Sequence, residues 1–431
     1  MQVVADLHLH SKYSRAVSPQ MLLPTMPRVA AQKGIHLLGT GDFTHPLWMH
    51  ELREKLVETG NGIYSLKGTE DQSKFLVSVE IATIYTQNGK GRRIHNVVLV
   101  PSLEVAERIN ESLIAKGCTL GSDGRPIIGL SSKNLLELLL SIDERCLLIP
   151  AHAWTPWFGV YGLMSGFVSL DEAFEDLAPY VYAIETGISS DPEMNWQMKE
   201  LAHRSIVSFS DAHSLPKMGR ELTVFDMSEL SYNAIRTAIM RADEMNQKIA
   251  YTVEFFPEEG KYHYSGHRQC GFFFRPEDEV SAKGICLVCH RPVTDGVMRR
   301  VQEISQEKPR GVKQIDASGV SWITDPKQEH PSFVRLVPLQ EIIAEVLSRP
   351  VTSPKVQSLF DEMIQKISTE LDILLTIPLT TISSIAGERI AEGVAKVRSG
   401  ELSIAPGYDG LYGKVSIWDK QPKEEQLVLN I

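Results

Sequence analysis

The sequence predicts an α/β fold: a distorted barrel of about seven or eight strands over residues 1–250, a small module rich in cysteine and histidine over 251–300, and a helical region over 301–431. Three observations carry this prediction. Short apolar runs alternate with amphipathic stretches up to about residue 225, the pattern of strands joined by helices. Most of these runs end at a polar residue able to do chemistry, and in α/β barrels sites form where strands give way to loops. Cys270, Cys286 and Cys289 crowd into 20 residues, while Cys118 and Cys146 stand apart.

In chain order, 3–9 reads as a strand, 21–33 as a helix, 36–38 as a strand and 75–84 as another. The runs 95–100, 147–150, 181–184 and 206–209 repeat the short apolar form. Residues 226–250 read as helical, because Ile235, Ala238, Ile239 and Ala242 recur at helix spacing. Around 261–298 the pattern breaks into Gly, Pro, Cys and His. Beyond Gly296 the chain reads as mostly helical, with apolar spacing over 339–347 and 356–375 punctuated by Pro350 and Pro354. Residues 381–398 hold two amphipathic pieces around Gly387, either a plain helical hairpin or a DNA-binding one whose amides hold a phosphate. A turn-rich stretch follows over 400–414.

A chain of 431 residues exceeds one typical core, so two or three domains are expected. No apolar run approaches the roughly 20 residues of a membrane helix, and the first residues lack a leader pattern; a cytoplasmic protein with reduced cysteines is the expectation. The net charge of −10 argues against a general polyanion binder.

Asp6-Leu7-His8-Leu9-His10 is the first strong chemical signal. Alternate side chains of a strand share a face, so His8 and His10 can aim at one site as ligands for zinc, manganese or iron. His95 heads a strand, His152 closes another, and Asp211 and His213 close a third. Asp42 and His45 follow the second strand, and Glu80 lies inside an apolar run where an unpaired carboxylate is costly. Histidines supplemented by carboxylates suit a hydrolase with two or three metal ions. Glu185 opens a loop after a strand; a metal ligand, a general base and a capping partner all fit it, and a catalytic or metal-proximal role is the one favoured.

Four arginines near the Cys module, Arg268, Arg275, Arg291 and Arg299, together with Arg300, suit contacts to a nucleic-acid backbone, with Arg268 and Arg291 the foremost. His267-x2-Cys270 and Cys286-x2-Cys289 have the spacing of one structural zinc site; His263 and His290 are the alternatives for its imidazole.

Asp-Leu-His-Leu-His-Ser, Gly-Thr-Gly-Asp-Phe-Thr-His, Val-Glu-Ile, His95, Pro-Ala-His152 and Ser-Asp-Ala-His213 resemble, in order, the motifs of the polymerase and histidinol phosphatase (PHP) superfamily. The resemblance implies a PHP-type barrel whose metal ligands are His8, His10, Glu80, His95, His152, Asp211 and His213. Where PHP proteins carry an Asp soon after the first motif, this chain has Arg15; Asp42 and His45 are the expected substitute ligands, and Arg15 is a candidate to hold a phosphate. Longer stretches narrow the likeness. Gly39 to Pro46, Ala151-His-Ala-Trp-Thr-Pro-Trp-Phe-Gly159, Glu185 to Trp196 and the Cys module resemble the endonuclease Q family.

That resemblance implies an enzyme that nicks DNA on the 5′ side of deaminated bases (uracil, hypoxanthine, xanthine) and of abasic sites, leaving a 3′-hydroxyl and a 5′-phosphate. Glu185, Asp211 and His213 are then the expected catalytic residues, with two or three ions of Zn, Mn, Mg or Fe in the site. A damaged base must leave the stack and be held between apolar faces. Trp154, Trp157, Phe158 and Trp196 are the candidate faces, and Ser189, Ser190 and Asn195 the candidate edge readers. A sliding clamp is a further candidate partner. The competing readings are a small-molecule phosphatase of the histidinol-phosphate type, which needs neither the zinc module nor the paired tryptophans, and a DNA-binding accessory protein with a degenerate site.

Overall fold

Alternation of apolar residues along short strands builds the sheets. In Gln2–Asp6, Val3 and Ala5 enter one core cluster and Val4 enters another. The computed structural model describes residues 1–69, 73–278 and 284–418. Its largest sheet runs, in spatial order, Val312–Ile315, Ser321–Thr324, Ser332–Arg335, Gln247–Glu254, Leu222–Met227, Gln2–Asp6, Leu37–Gly39, Lys74–Leu76, Ile63–Leu66 and Leu56–Gly60. A second sheet orders Ile127–Ile128, Ser78–Gln87, Lys90–Leu99 and Leu147–Pro150, and a third pairs Ala183–Glu185 with Ser205–Val207 in parallel.

Backbone bonds stitch the three sheets together. Val100 N–H donates to Val77 O, Ala153 N–H to Glu185 O, and Ser208 N–H to the Thr223 hydroxyl. One apolar cluster accordingly draws Val3, Leu37, Leu76, Val97, Leu147, Ala183, Val207 and Phe225 from strands of all three. The other takes their opposite faces, such as Val4, Leu38, Phe75, Val98 and Leu148, together with the helices. The Ser102, Ser131 and Ser231 side chains accept from Val105, Asn134 and Ala234 N–H and cap Leu103–Ala115, Ser132–Ile142 and Tyr232–Met240. Each such cap contributes about 1 kcal/mol.

Several expectations shift. The helix expected over 21–33 is shorter, Met26–Lys33, because Pro27 lacks an N–H and can occupy only its first turn. The helix expected over 226–250 shrinks to Tyr232–Met240, in which Ile235, Ala238 and Ile239 do form the buried face. Strands flank it, and the expected boundary at residue 250 falls inside Gln247–Glu254. The region expected to be helical over 301–431 also holds three strands that extend the large sheet, Ser332–Arg335 pairing in parallel with Gln247–Glu254. The outermost of these, Val312–Ile315, is exposed along its whole length and offers no apolar alternation to read.

The expected C-terminal helices form as Leu339–Leu347, Pro354–Lys366, Glu370–Leu375, Leu379–Ala386 and Glu388–Ser399. The break in 356–375 comes at Thr369, whose side chain caps a new helix by accepting from Asp372 N–H. Buried Arg398 donates to Ile373 O, Leu374 O and Ile377 O, so it ties the last helix to the end of its neighbour. Glu388 opens the last helix and puts a carboxylate where a hairpin would hold a phosphate. The turn-rich stretch braces the Cys module, with Gly407 N–H on Glu258 O, Tyr264 N–H on Gly407 O and Tyr408 stacked on Phe273. No helix among the described residues is long and apolar enough to cross a membrane.

Candidate active site

The strand ends bring together six of the expected ligands. Leu9 bridges in parallel to Ala212, which sets His8 and His10 beside Asp211. The ligand atoms of His8, His10, Glu80 and Asp211 all lie within 4.8 Å of one another, as do those of Glu80, His95 and His152. Glu80 therefore joins two groups. Its Oε1 meets His95 Nδ1 at 2.6 Å and His152 Nε2 at 3.1 Å, while its Oε2 lies 3.5 Å from His8 Nε2 and 3.3 Å from His10 Nε2. Asp211 Oδ1 stands 3.0 Å from His10 Nε2 and 3.6 Å from His8 Nε2.

This crowding has an electrostatic consequence. Burial opposes charge on His8 and His10, yet the surrounding carboxylates hold both well above the usual imidazole range. Burial likewise opposes charge on Glu80, but His95, His8, His10 and His152 hold its carboxyl well below the ordinary value. A buried centre this negative calls for cations. The buried Nε2 of His8 has no hydrogen-bond partner. An orphaned imidazole nitrogen facing two carboxylates fits a divalent ion, as does the mixed His and carboxylate donor set.

The remaining expected residues surround this centre in other ways. Glu185 is fully buried; its oxygens meet His8 Nδ1 at 2.9 and 3.1 Å, and its Oε2 accepts from His152 N–H at 2.8 Å. It orients two histidines from behind and has no opening to a substrate. Asp42 also stands behind, with Oδ1 3.1 Å from His10 Nδ1 and Oδ2 accepting from Ser11 N–H, Ser11 Oγ and Ser14 Oγ. His45 stacks on Tyr13 outside either ligand group. His213, with its side chain 34% exposed, lies 4.7 Å ring to ring from His10 and places Nδ1 2.8 Å from Asp211 O. Asp42, His152 and Asp211 hold left-handed φ values of 50°, 32° and 48°, a local strain that clusters at functional sites.

The arginine that reaches the centre is one the sequence did not single out. Arg125 donates from Nη1 to Glu80 Oε2 at 3.0 Å, whereas the Arg15 side chain is 75% exposed at the rim with Nε 3.5 Å from Asp123. The one legible signal was the turn Gly121-Ser-Asp-Gly124-Arg-Pro126, which precedes a strand of only two residues.

The expected base-holding residues separate into two sets. A cavity of about 190 Å³ opens beside the loops that leave His152 and Glu185, lined by Trp157, Ile188, Ser189, Tyr262 and His263 among others. Trp157 meets Tyr262 edge to face at 5.2 Å. Trp154, Asn195 and Trp196 lie instead in the core: Trp154 Nε1 donates to Asn195 Oδ1 at 2.7 Å, and Trp196 stacks on His330 and meets Phe333 edge to face. Asn195 Nδ2 donates to Ser190 Oγ, which consumes that serine too. Phe158 packs on His95 with ring centres 4.3 Å apart.

In the Cys module, His267, Cys270, Cys286 and Cys289 gather their ligand atoms within 4.8 Å, with His267 Nδ1 3.2 Å from Cys270 Sγ. His263 is buried against Tyr264 and His290 is exposed, so neither belongs to the group. Desolvation and the neighbouring Cys289 and Cys286 push the Cys270 thiol up to about 11, a cost of crowding thiols that a bound metal ion would remove. Arg268, Arg275 and Arg291 are exposed on this module; Arg299 pairs with Asp295, and Arg300 is buried on Tyr161 O and Phe167 O. A further group, Asp325, Glu329 and His330, is already neutralised by Arg310, which donates to both carboxylates.

Comparison with known proteins places these features. Residues 338–401 match the family described as the MJ0043 C-terminal domain. The chain is 29% identical over 276 residues to the uncharacterized protein MJ0043 of Methanocaldococcus jannaschii, covering 62% of this chain but only 31% of that protein's length. It superposes with a TM-score of 0.82 and 30% identity on the lesion-specific endonuclease PfuEndoQ from Pyrococcus furiosus, across 100% of this chain and 99% of that one. A structure of endonuclease Q with a 27-mer duplex bearing an abasic lesion at its active site matches with a TM-score of 0.81, 30% identity and 100% coverage of both chains. None of these likenesses speaks for the sliding clamp.

Proposed function

The chain belongs to the endonuclease Q family, and from that premise we propose that it is a metal-dependent DNA repair endonuclease, hydrolysing the phosphodiester 5′ of deaminated bases and abasic sites. The observation that carries this reading is the double ligand group joined at Glu80, with the orphaned Nε2 of His8 facing its carboxylates. His8, His10, Glu80 and Asp211 would hold one divalent ion, and Glu80, His95 and His152 a second. Divalent ions there supply a water of lowered pKa and offset the charge of the phosphate.

The chain's own residues divide the remaining work. Glu185 and Asp42 fix the tautomers of His8 and His10 by occupying their Nδ1 positions. Burial lowers the pKa of His213, and its partial exposure leaves the ring free to exchange a proton with a departing oxygen. The cavity at Trp157, Ser189 and Tyr262 would receive the extruded lesion, Trp157 giving the stacking face and Ser189 an edge contact. His267, Cys270, Cys286 and Cys289 would hold a structural zinc, presenting Arg268 and Arg291 to the DNA backbone. We read the strands up to Glu254 as a distorted PHP-type barrel whose main sheet the strands of 312–335 extend, with the zinc module to 300 and a C-terminal region to 431.

Purified protein with manganese or magnesium, given duplexes that carry one uracil, hypoxanthine, xanthine or abasic site, tests this. A single nick 5′ of the lesion, leaving 3′-hydroxyl and 5′-phosphate ends, is expected. Equal nicking of undamaged duplex, or none at all, refutes it.

A further inference from the structure

We propose that Arg125 is a catalytic residue, whose guanidinium turns from Glu80 to a non-bridging oxygen of the scissile phosphate when the site is loaded. The proposal rests on the phosphodiesterase reading above and adds the group that grips the reacting phosphate.

The backbone around Arg125 is pinned. Gly124 N–H donates to Tyr13 O, Thr44 Oγ1 donates to Gly124 O, and Pro126 O accepts from Ala82 N–H. A Cβ on Gly124 would lie 2.3 Å from both Asp42 Oδ2 and Ser14 Oγ, so only glycine lets this loop close on the network behind His10. Asp123 Oδ1 accepts from the Arg125 N–H and the Arg15 N–H together. A fixed loop therefore aims a long cationic side chain at the centre of the site.

The tip is held by one bond. Nη1 donates to Glu80 Oε2 at 3.0 Å, the side chain stays 25% exposed, and no other acceptor among the described residues takes the rest of its guanidinium. Glu80 Oε2 is also the oxygen that faces His8 Nε2 and His10 Nε2. A divalent ion on those imidazoles and the Arg125 cation compete for one carboxylate oxygen, and like charges at contact repel. Released from Glu80, the guanidinium has one way to go, outward along its exposed side. The anion it meets there in the working enzyme is the phosphodiester, which the planar guanidinium fork matches. Arg15, by contrast, stands 75% exposed beside Asp123 and has no contact with Glu80.

Arg125→Met and Arg125→Lys test the assignment in the full chain, with melting temperature as the folding check. Calorimetric titration of the free protein with manganese is the first readout. Arg125→Met is expected to bind manganese more tightly than the parent, on the order of tenfold, because a competing cation is gone. On an abasic duplex, kcat is expected to fall about 100-fold with KM moving less than about threefold, and Arg125→Lys to regain part of the loss. Weakened manganese binding in Arg125→Met would overturn the proposal, since Arg125 would then be a structural part of the Glu80 site. So would cleavage within about threefold of the parent. If the parent itself fails to nick the abasic duplex, the lesion reading falls. Arg125 is then judged on manganese-dependent hydrolysis of bis(p-nitrophenyl) phosphate, where the same drop supports it and an unchanged rate overturns it.

Discussion

Replacing Glu185 by glutamine isolates what a buried residue behind the ligands contributes. The carboxylate accepts from His8 Nδ1 with both oxygens, at 2.9 and 3.1 Å, and from His152 N–H at 2.8 Å through Oε2. Glutamine keeps the shape but offers one acceptor and one donor group. If its carbonyl oxygen stays at the Oε2 position, on His152 N–H and 3.1 Å from His8 Nδ1, its NH2 takes the nearer place at 2.9 Å, opposes a protonated Nδ1 and favours the tautomer with the proton on Nε2. A protonated Nε2 cannot ligate an ion, so the substitution disables His8 through its tautomer without removing it. Loss of such an orienting partner costs about 10- to 100-fold in metal affinity, or about 1.4 to 2.8 kcal/mol. Manganese titration by calorimetry, beside an unchanged melting temperature, measures this directly. Glu185→Gln binding manganese as tightly as the parent would refute the reasoning, because the Nδ1 contact would then have no hold on the tautomer.

Four further outcomes follow from the same geometry. Cys286→Ser should cost the Cys module the zinc proposed for it, read as one zinc per chain in the parent and none in the variant, since a closed site's binding energy, on the order of 10 kcal/mol in isolated fingers, is folding energy. Trp154→Ala, deleting a fully buried ring, should cost about 3 to 5 kcal/mol of stability by denaturant unfolding. Trp157→Ala should leave stability nearly unchanged but weaken binding of a uracil duplex by about 1 to 3 kcal/mol. Glu254 is fully buried, and desolvation, with the Asp191 charge adding to it, pushes its carboxyl up from 4.5 to about 8. The folded state thus holds a proton that the unfolded chain releases at lower pH, so stability should fall as pH rises from 4.5 to about 8, approaching about 1.4 kcal/mol per unit. Glu254→Gln, the isostere of the protonated form, should flatten that fall when melting temperatures are compared across pH.

Much of the site was legible because its residues sit at strand ends with a fixed period. His8 and His10 share a face through the two-residue repeat, and Glu80 betrays itself as a carboxylate inside an apolar run. The spacing of His267, Cys270, Cys286 and Cys289 is short enough for local chain geometry to close the group. Roles that depend on which side of a ligand a residue occupies were not legible. Asp42 reads as a ligand and Glu185 as catalytic or metal-proximal; both lie behind histidines, because the segments carrying them pack against the inner edges of the imidazoles. Trp154 and Trp157 are three residues apart in one loop, and only the packing of Asn195 against the first and Tyr262 against the second tells core from cavity.

Residue types and short spacings determined the α/β character, the His8–His10 pair and the two knuckle-spaced pairs of the Cys module, while the full imidazole and carboxylate set followed from the ordered motifs that resemble the PHP superfamily. The tertiary structure decided that Glu80 is shared between two ligand groups, that Arg125 reaches it, and that strands from residues 312–335 extend the main sheet. The contacts involved are mostly long-range, Arg125 to Glu80 across 45 residues and Asp211 to His10 across 201. Such contacts arise from the burial of apolar faces against one another, a property of the whole fold that no local pattern encodes.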